Sequence, residues 1–149
     1  MLVPIIIASK GDQEWADKII EGLKEFDIPY TIHIASAHKV PEKVLEIVEK
    51  YNEEKDICFI TVAGRSNGLS GVIAANSVHP VIACPPFKDK SDYLVNIHSS
   101  LQMPSDTPVL TVLDPRNAAS AAARILGIKN EELRMKVKQK IDEVKKLFK

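Results

Sequence analysis

The chain has 149 residues, of which 45% are hydrophobic and 27% charged, and its formal net charge is zero. This length and composition are typical of one globular domain with a substantial core. A neutral chain lacks the positive charge that attracts nucleic acid, and no apolar run approaches the roughly 20 residues that cross a bilayer, so we expect neither a nucleic-acid nor a membrane partner.

Short β-branched runs alternate with helical patterns from the first residues onward. The predicted strands cover 3–8, 29–35, 57–63, 80–84 and 108–112. The predicted helices cover 12–26, 42–52, 66–77, 91–101 and 117–126, and the tail 130–149 predicts a further helix. Five strands linked by helices predict right-handed crossovers and a doubly wound parallel sheet, a three-layer αβα fold of the flavodoxin-like or Rossmann-like type. We expect a single domain, 1–149, with its core in 3–127 and a C-terminal helix over 130–148.

Two features of the last helices suggest contact surfaces. The helix 117–126 is dense in alanine, at positions 118, 119, 121, 122 and 123. Small side chains permit close approach of a neighbouring backbone, which favours a subunit interface there, with packing inside the chain as the alternative. The tail helix carries an apolar stripe at Val137, Ile141, Val144 and Phe148.

The two cysteines, Cys58 and Cys84, lie in separate predicted strands. They form neither a disulfide framework nor a zinc-binding spacing. The first residues are apolar but show no basic segment or cleavage pattern of a signal peptide. We therefore expect a cytoplasmic protein with no bound metal.

Unusual polar loops follow three of the predicted strands, at 8–12, 35–40 and 63–69. The carboxyl ends of parallel strands meet at one edge of a sheet, where ligands bind in doubly wound folds. His38 lies in the second loop, behind the small residues Ser36 and Ala37 and before the cation Lys39. A histidine exchanges protons near neutral pH, so His38 is the candidate catalytic residue, although a structural hydrogen bond to a carbonyl is the usual role of a single histidine.

The first loop, Ser9 to Asp12, opens a helix and contains Lys10 and Gly11. Backbone N–H groups at a helix start form an anion site, and phosphate is the usual occupant. Asp12 either caps the helix or accepts hydrogen bonds from ligand hydroxyls such as those of a ribose. The loop lacks the glycines of a Walker loop or a dinucleotide fingerprint, so a nucleotide monophosphate fits best.

The loop after the third strand carries Arg65 and Asn67 between Gly64 and Gly68. Arg65 can grip a phosphate or carboxylate through two hydrogen bonds, or form a surface ion pair instead. Asn67 can bind a ligand or cap the following helix. Cys84 ends the fourth strand with no activating partner nearby in sequence, so we expect a wall of the pocket there rather than a nucleophile.

Five motifs in order resemble the aminoimidazole ribonucleotide carboxylases of purine biosynthesis, the PurE family. The similarity covers about 3–126, and its motifs are Ser9–Asp12, Ser36–Lys39, Ala63–Leu69, Pro80–Pro86 and Gln102–Ser105. The first loop departs from the common Gly-Ser-x-Ser-Asp pattern, because Gly11 replaces the second serine. Backbone N–H groups or Lys10 would then replace its phosphate contact.

The resemblance implies a carboxylase acting on aminoimidazole ribonucleotide and carbon dioxide, without a cofactor, in a homo-oligomer that is a tetramer or an octamer. It implies that Asp12 binds the ribose and that His38 is catalytic. The expected substrate-binding residues are Ser9, Lys10, Gly11, Asp12, Ser36, Ala37, Lys39, Gly64, Arg65, Ser66, Asn67, Gly68, Leu69, Cys84 and Pro85.

The family has two classes, and the motifs favour one of them. Class I enzymes are mutases of the N5-carboxyamino ribonucleotide and usually show Ser-Ala-His-Arg and a Gly-Gly-Ala-x-His-Leu loop. Here Lys39 follows His38, and the loop reads Arg65-Ser66-Asn67 without a histidine. These choices resemble class II, which carboxylates aminoimidazole ribonucleotide directly without ATP. The class I mutase is the first alternative, and a non-catalytic flavodoxin-like nucleotide-binding module is a distant second.

Overall fold

The computed structural model describes residues 1–148, and a five-stranded parallel sheet forms its centre. The strands are β1 (Val3–Ile7), β2 (Tyr30–Ile34), β3 (Phe59–Val62), β4 (Val81–Ala83) and β5 (Leu110–Thr111). The helices are α1 (Gln13–Lys24), α2 (Pro41–Asn52), α3 (Leu69–Asn76), α4 (Lys90–Asn96), α5 (His98–Leu101), α6 (Pro115–Leu126) and α7 (Glu131–Lys146), and a short 3₁₀ helix covers Lys10–Asp12.

The strand order β2-β1-β3-β4-β5 confirms the predicted doubly wound, flavodoxin-like fold. Strand β1 is buried on both faces, as its unbroken apolar run predicts. Ile5 and Ile7 pack in the core beneath α1 and α6, whereas Ile6 packs beneath α2 and α3. The chain therefore reverses its winding direction at β1, and the loops that follow β1 and β3 flank the crevice where such folds bind ligands.

Several element boundaries differ from the prediction for local reasons. Helix α3 begins at Leu69 rather than at residue 66, because the Asn67 side chain accepts the Ser70 N–H and ends the loop there. The predicted helix 91–101 is divided into α4 and α5 at Ile97, although the Ile97 backbone is itself helical. The tail helix starts as predicted after the capping residue Asn130 and ends at Lys146. Lys149, the last residue of the predicted tail, lies outside the described residues.

The alanine-rich face of α6 packs inside the chain, so the expectation of a subunit interface on that face was wrong. Ala118, Ala119, Ala122 and Ala123 are fully buried against the core formed with α1. Gly22 of α1 explains the close approach, because a Cβ placed there would lie 2.7 Å from the Ala119 Cβ. The small residues therefore bring two helices of one chain together.

We expect Gly22→Ala to destabilise the protein and Ala119→Gly to relieve the effect. Overpacking of this kind costs about 1–3 kcal/mol, against about 1 kcal/mol gained when alanine replaces a helical glycine. Urea unfolding of the two single variants and the double variant measures the coupling. We expect the double variant to be more stable than the sum of the single effects by at least about 1 kcal/mol. Additive effects would show that the two positions do not touch.

No helix within residues 1–148 is long and apolar enough to cross a membrane.

Candidate active site

A cleft of about 880 Å³ opens at the carboxyl ends of the strands. The loops after β1, β2, β3 and β4 all contribute to it. It brings together twelve of the predicted site residues, namely Ser9, Gly11, Asp12, Ser36, Ala37, His38, Lys39, Gly64, Arg65, Ser66, Gly68 and Leu69. The three sequence motifs that follow separate strands therefore form one surface.

The loop after β1 is held by its own serine and aspartate. Oδ2 of Asp12 accepts hydrogen bonds from the Ser9 N–H at 2.9 Å and from the Ser9 hydroxyl at 2.8 Å. Both residues still line the cleft, and Oδ1 of Asp12 accepts no hydrogen bond within residues 1–148. Asp12 stands at the N-cap position of α1, but its side chain caps no N–H of that helix and bonds back to Ser9 instead. This arrangement leaves Oδ1 available to a ligand.

His38 is exposed in the turn after β2, a turn closed by the Val40 N–H on the Ser36 carbonyl at 2.9 Å. Its imidazole lies against Gly68, since a Cβ at position 68 would approach Nε2 of His38 to 2.9 Å. Throughout the described chain no residue forms a hydrogen bond with this ring, so both of its nitrogens are open to a ligand. The usual structural role of a single histidine is therefore not the one His38 has here.

The other histidines are engaged elsewhere or lie outside the cleft. His33 contacts the Tyr51 hydroxyl at 2.9 Å, and His79 contacts the Tyr51 carbonyl at 2.9 Å. His98 is exposed on α5, away from the cleft lining. Burial, followed by the nearby Lys50 and Lys43, lowers the pKa of His33, which favours its neutral form. His38 is the one histidine among residues 1–148 that faces the cleft.

The loop after β3 passes close to the end of β4. A Cβ at Gly64 would lie 3.1 Å from the Pro86 carbonyl oxygen, so glycine permits the close approach of the two loops. The next residue, Arg65, has a φ of 54°. This is the left-handed region of backbone conformation, which residues other than Gly, Asn and Asp rarely adopt. Arg65 lines the cleft in this conformation.

Four predicted binding residues do not line the cleft. Asn67 is buried, and its side chain donates to the Ser100 hydroxyl at 2.9 Å and caps α3, so the capping alternative describes it. Cys84 and Pro85 are buried, and the next residue, Pro86, lines the cleft instead of them. Lys10 is exposed on the 3₁₀ helix and lies outside the lining.

Burial raises the pKa of Cys84 to about 12. The thiol therefore stays protonated near neutral pH, which agrees with the expectation that Cys84 is no nucleophile.

Residues from α1 and from the chain after β4 complete the cleft, and none of these is among the substrate-binding residues predicted from the sequence. They are Glu14, Trp15, Lys18, Pro86, Phe87, Lys88 and Asp92, with Ala8 and Ala63 at the strand ends. Trp15 packs against the core shared by α1 and α6 and also lines the cleft. Its position three residues after Asp12, on the first turn of the helix, is the signal that could have found it.

Three cations in the cleft are available to an anionic ligand. Lys39, Arg65 and Lys88 line it, and none forms an ion pair with a carboxylate in the described part of the chain. Lys18, in contrast, pairs with Glu14 at 3.3 Å. The backbone N–H of Lys88 donates to Asp92 at 2.9 Å and lowers the pKa of that carboxyl, so Asp92 is ionised near neutral pH and is no proton donor.

The fold and the cleft define an α/β protein of the small-molecule enzyme type. Within the described residues, a histidine without a hydrogen-bond partner and three cations without ion pairs lie at the carboxyl edge of its sheet. Comparison with known proteins gives the family. The model of the family described as AIR carboxylase matches residues 2–146. The chain therefore belongs to this family.

Its relatives carry consistent names. The chain is 49% identical over 139 residues to the phosphoribosylaminoimidazole carboxylase of Archaeoglobus fulgidus, covering 93% of this chain and 76% of that protein. It is 40% identical over 161 residues to the N5-carboxyaminoimidazole ribonucleotide mutase of Methanocaldococcus jannaschii, covering 99% of this chain and all of that protein. The crystal structure of Treponema denticola PurE superimposes with a TM-score of 0.92 at 39% identity, covering 99% of this chain and 93% of that one.

Proposed function

We propose that the chain is a phosphoribosylaminoimidazole carboxylase of purine biosynthesis. It adds carbon dioxide directly to C4 of aminoimidazole ribonucleotide and gives 4-carboxyaminoimidazole ribonucleotide, without ATP or a cofactor. The observation that carries this proposal is the unbonded imidazole of His38 in a cleft with unpaired cations, on a chain of the AIR carboxylase family.

The reaction needs one proton transfer. The electron-rich aminoimidazole ring attacks carbon dioxide through C4, which forms the C–C bond and leaves C4 carrying both the new carboxylate and its original proton. His38 takes that proton, and the C–H electron pair restores the aromatic ring. Proton transfer by a positioned side chain is typically worth ~10²–10⁴-fold in rate. Carbon dioxide binds weakly by itself, so the cleft must hold it against C4.

The rest of the cleft binds the nucleotide. The ribose hydroxyls pair with Asp12, whose Oδ1 is free, and Ser9 holds that carboxylate in place through its N–H and hydroxyl. Gly11 and the remaining backbone N–H groups of the first loop bind the phosphate. Lys39 and Arg65 are placed to stabilise the substrate phosphate or the growing carboxylate, since neither forms an ion pair among residues 1–148. Besides the Lys88 N–H, the charge of Arg65 does act on Asp92, whose pKa both help to lower. Ser36 and Ala37 leave room for the ring beside His38.

Two observations favour direct carboxylation over the mutase reaction. Lys39 follows His38, and Arg65-Ser66-Asn67 replaces the histidine-containing loop of the mutase class. Two relatives named carboxylase are 49% and 43% identical to this chain, and the relative named mutase is 40% identical. The mutase remains the second candidate because that relative matches along its whole length.

The class is tested with the two substrates in parallel. We expect turnover of aminoimidazole ribonucleotide with bicarbonate as the source of carbon dioxide, with no ATP requirement. We expect little turnover of N5-carboxyaminoimidazole ribonucleotide in buffer depleted of carbon dioxide. Efficient use of the second compound under depletion would assign the chain to the mutases instead.

We further propose a homo-oligomer with closed symmetry, a tetramer or an octamer, located in the cytoplasm. Exposed apolar side chains support the homo-oligomer, because Val78, Val95 and Phe148 are 79%, 74% and 86% exposed in the single chain. The buried free thiols of Cys58 and Cys84 fit a reducing compartment. Light scattering at micromolar concentration should report a mass of at least four chains, and a monomer would reject the oligomer.

A further inference from the structure

The loop that carries Arg65 is fastened to α5 by two adjacent serines. The Ser99 hydroxyl lies 2.5 Å from the Arg65 carbonyl oxygen, to which it donates, and it accepts the Asn67 N–H at 2.9 Å. The buried Ser100 hydroxyl accepts the Asn67 side chain at 2.9 Å. The loop after β3 is therefore held by residues more than thirty positions later in the chain.

The two serines act on different parts of the loop. The Ser100 hydroxyl bonds to the side chain of Asn67, which in turn caps α3. The Ser100 carbonyl accepts the Thr111 hydroxyl at 3.0 Å. Ser100 thus sets where α3 begins and ties α5 to β5. Ser99 contacts the backbone on both sides of Ser66, at the carbonyl of Arg65 and the N–H of Asn67.

The backbone that Ser99 holds is the strained part of the loop. Arg65 has a φ of 54°, which a long side chain adopts only when its surroundings fix it. The Ser99 hydroxyl is the one side-chain group among residues 1–148 that bonds to the Arg65 carbonyl. The same hydroxyl lies 2.9 Å from the carbonyl oxygen of Asn96, the last residue of α4. A hydroxyl carries a single hydrogen, so donation to Arg65 competes with donation to Asn96.

We propose that Ser99 is a positioning residue for substrate binding: it holds Arg65 in the left-handed conformation that directs its guanidinium into the cleft. The inference rests on the proposed function, in which the guanidinium binds the anionic part of aminoimidazole ribonucleotide. Ser99 itself lies outside the cleft lining and acts through Arg65.

The test is a double-mutant cycle on Ser99→Ala and Arg65→Ala, with Ser91→Ala as the matched control because Ser91 is exposed on α4 outside the cleft. A lost hydrogen bond to an ionised group corresponds to roughly a 10- to 100-fold loss of kcat/KM for Arg65→Ala. We expect Ser99→Ala to lower kcat/KM roughly tenfold, through a raised KM, while kcat stays within about threefold of the wild type. The double variant should be no worse than Arg65→Ala within about twofold, and Ser99→Thr should restore the wild-type KM.

A purely structural role for Ser99 gives a different result. A partly unfolded enzyme loses kcat at constant KM, and independent effects multiply in the double variant. Either outcome in a wild-type enzyme that turns over aminoimidazole ribonucleotide would overturn this inference and leave the proposed function standing. Absence of turnover in the wild type would overturn the proposed function, and this inference with it. If Ser99→Ala does not fold, Ser99→Cys, which keeps the side-chain volume with a weak donor, replaces it in the cycle.

Discussion

Replacing Gly68 by alanine will lower kcat at least ~10-fold without loss of the fold. The new Cβ would lie 2.9 Å from Nε2 and 3.2 Å from Cε1 of His38, so the imidazole must move. The ring is the free end of an exposed side chain and can rotate away at little energetic cost. A displacement of about 1 Å in a catalytic group can cost 10²-fold in rate, so the effect falls on turnover.

The stability of this variant should hardly change. Gly68 has a φ of −81° and a ψ of −19°, a helical conformation that alanine adopts readily. Gly71→Ala is the matched control, because it makes the same change within α3 and its Cβ would meet only the Met103 sulfur, at 3.3 Å. Steady-state kinetics and thermal unfolding of both variants provide the comparison. A Gly68→Ala enzyme with the kcat of the wild type would show that the position of the His38 ring does not matter.

Replacing His38 by asparagine will lower kcat at least ~100-fold, the lower end for lost general acid–base catalysis. Asparagine keeps the approximate shape and some hydrogen bonding but has no nitrogen that titrates. His38 is exposed and forms no hydrogen bond to the described chain, so the free energy of unfolding should change by less than about 0.5 kcal/mol. Nucleotide binding should persist, because Ser9, Asp12 and the start of the first helix remain in place.

The position of His38 could be predicted because it depends on local signals. The apolar run before residue 35 predicts a strand, Pro41 marks the start of the next helix, and the loop between them must lie at the carboxyl edge of the sheet. The same argument brought the loops of Ser9 and Gly64 to that edge. The alternation of strands and helices and the location of the site therefore follow from a pattern that is readable within short windows, whereas the strand order comes from the structure.

The role of Asn67 could not be decided in this way. Its N–H donates to the Ser99 hydroxyl and its side-chain amide donates to the Ser100 hydroxyl, and these partners lie 32 and 33 residues further along the chain. The local sequence was compatible with both a ligand-binding and a helix-capping role for Asn67. Only the packing of α5 against the loop turns the amide inward.

The alanines of α6 show a similar limit. Small side chains do predict a close helix contact, and the contact exists, but the sequence does not say which backbone makes it. Gly22 of α1 supplies the partner surface, almost a hundred residues earlier in the chain. Trp15 shows that one side chain can serve two surfaces, since it packs against the core and also lines the cleft from the first turn of α1.

The most direct test of the account measures kcat and the Kd of aminoimidazole ribonucleotide on the same preparations of wild-type and His38→Asn protein. The wild type should carboxylate the nucleotide with carbon dioxide and no ATP. The variant should bind it with a Kd within about threefold of the wild type while kcat falls at least ~100-fold. A variant that binds normally and keeps kcat within a few-fold of the wild type would contradict the assignment of the C4 proton transfer to His38.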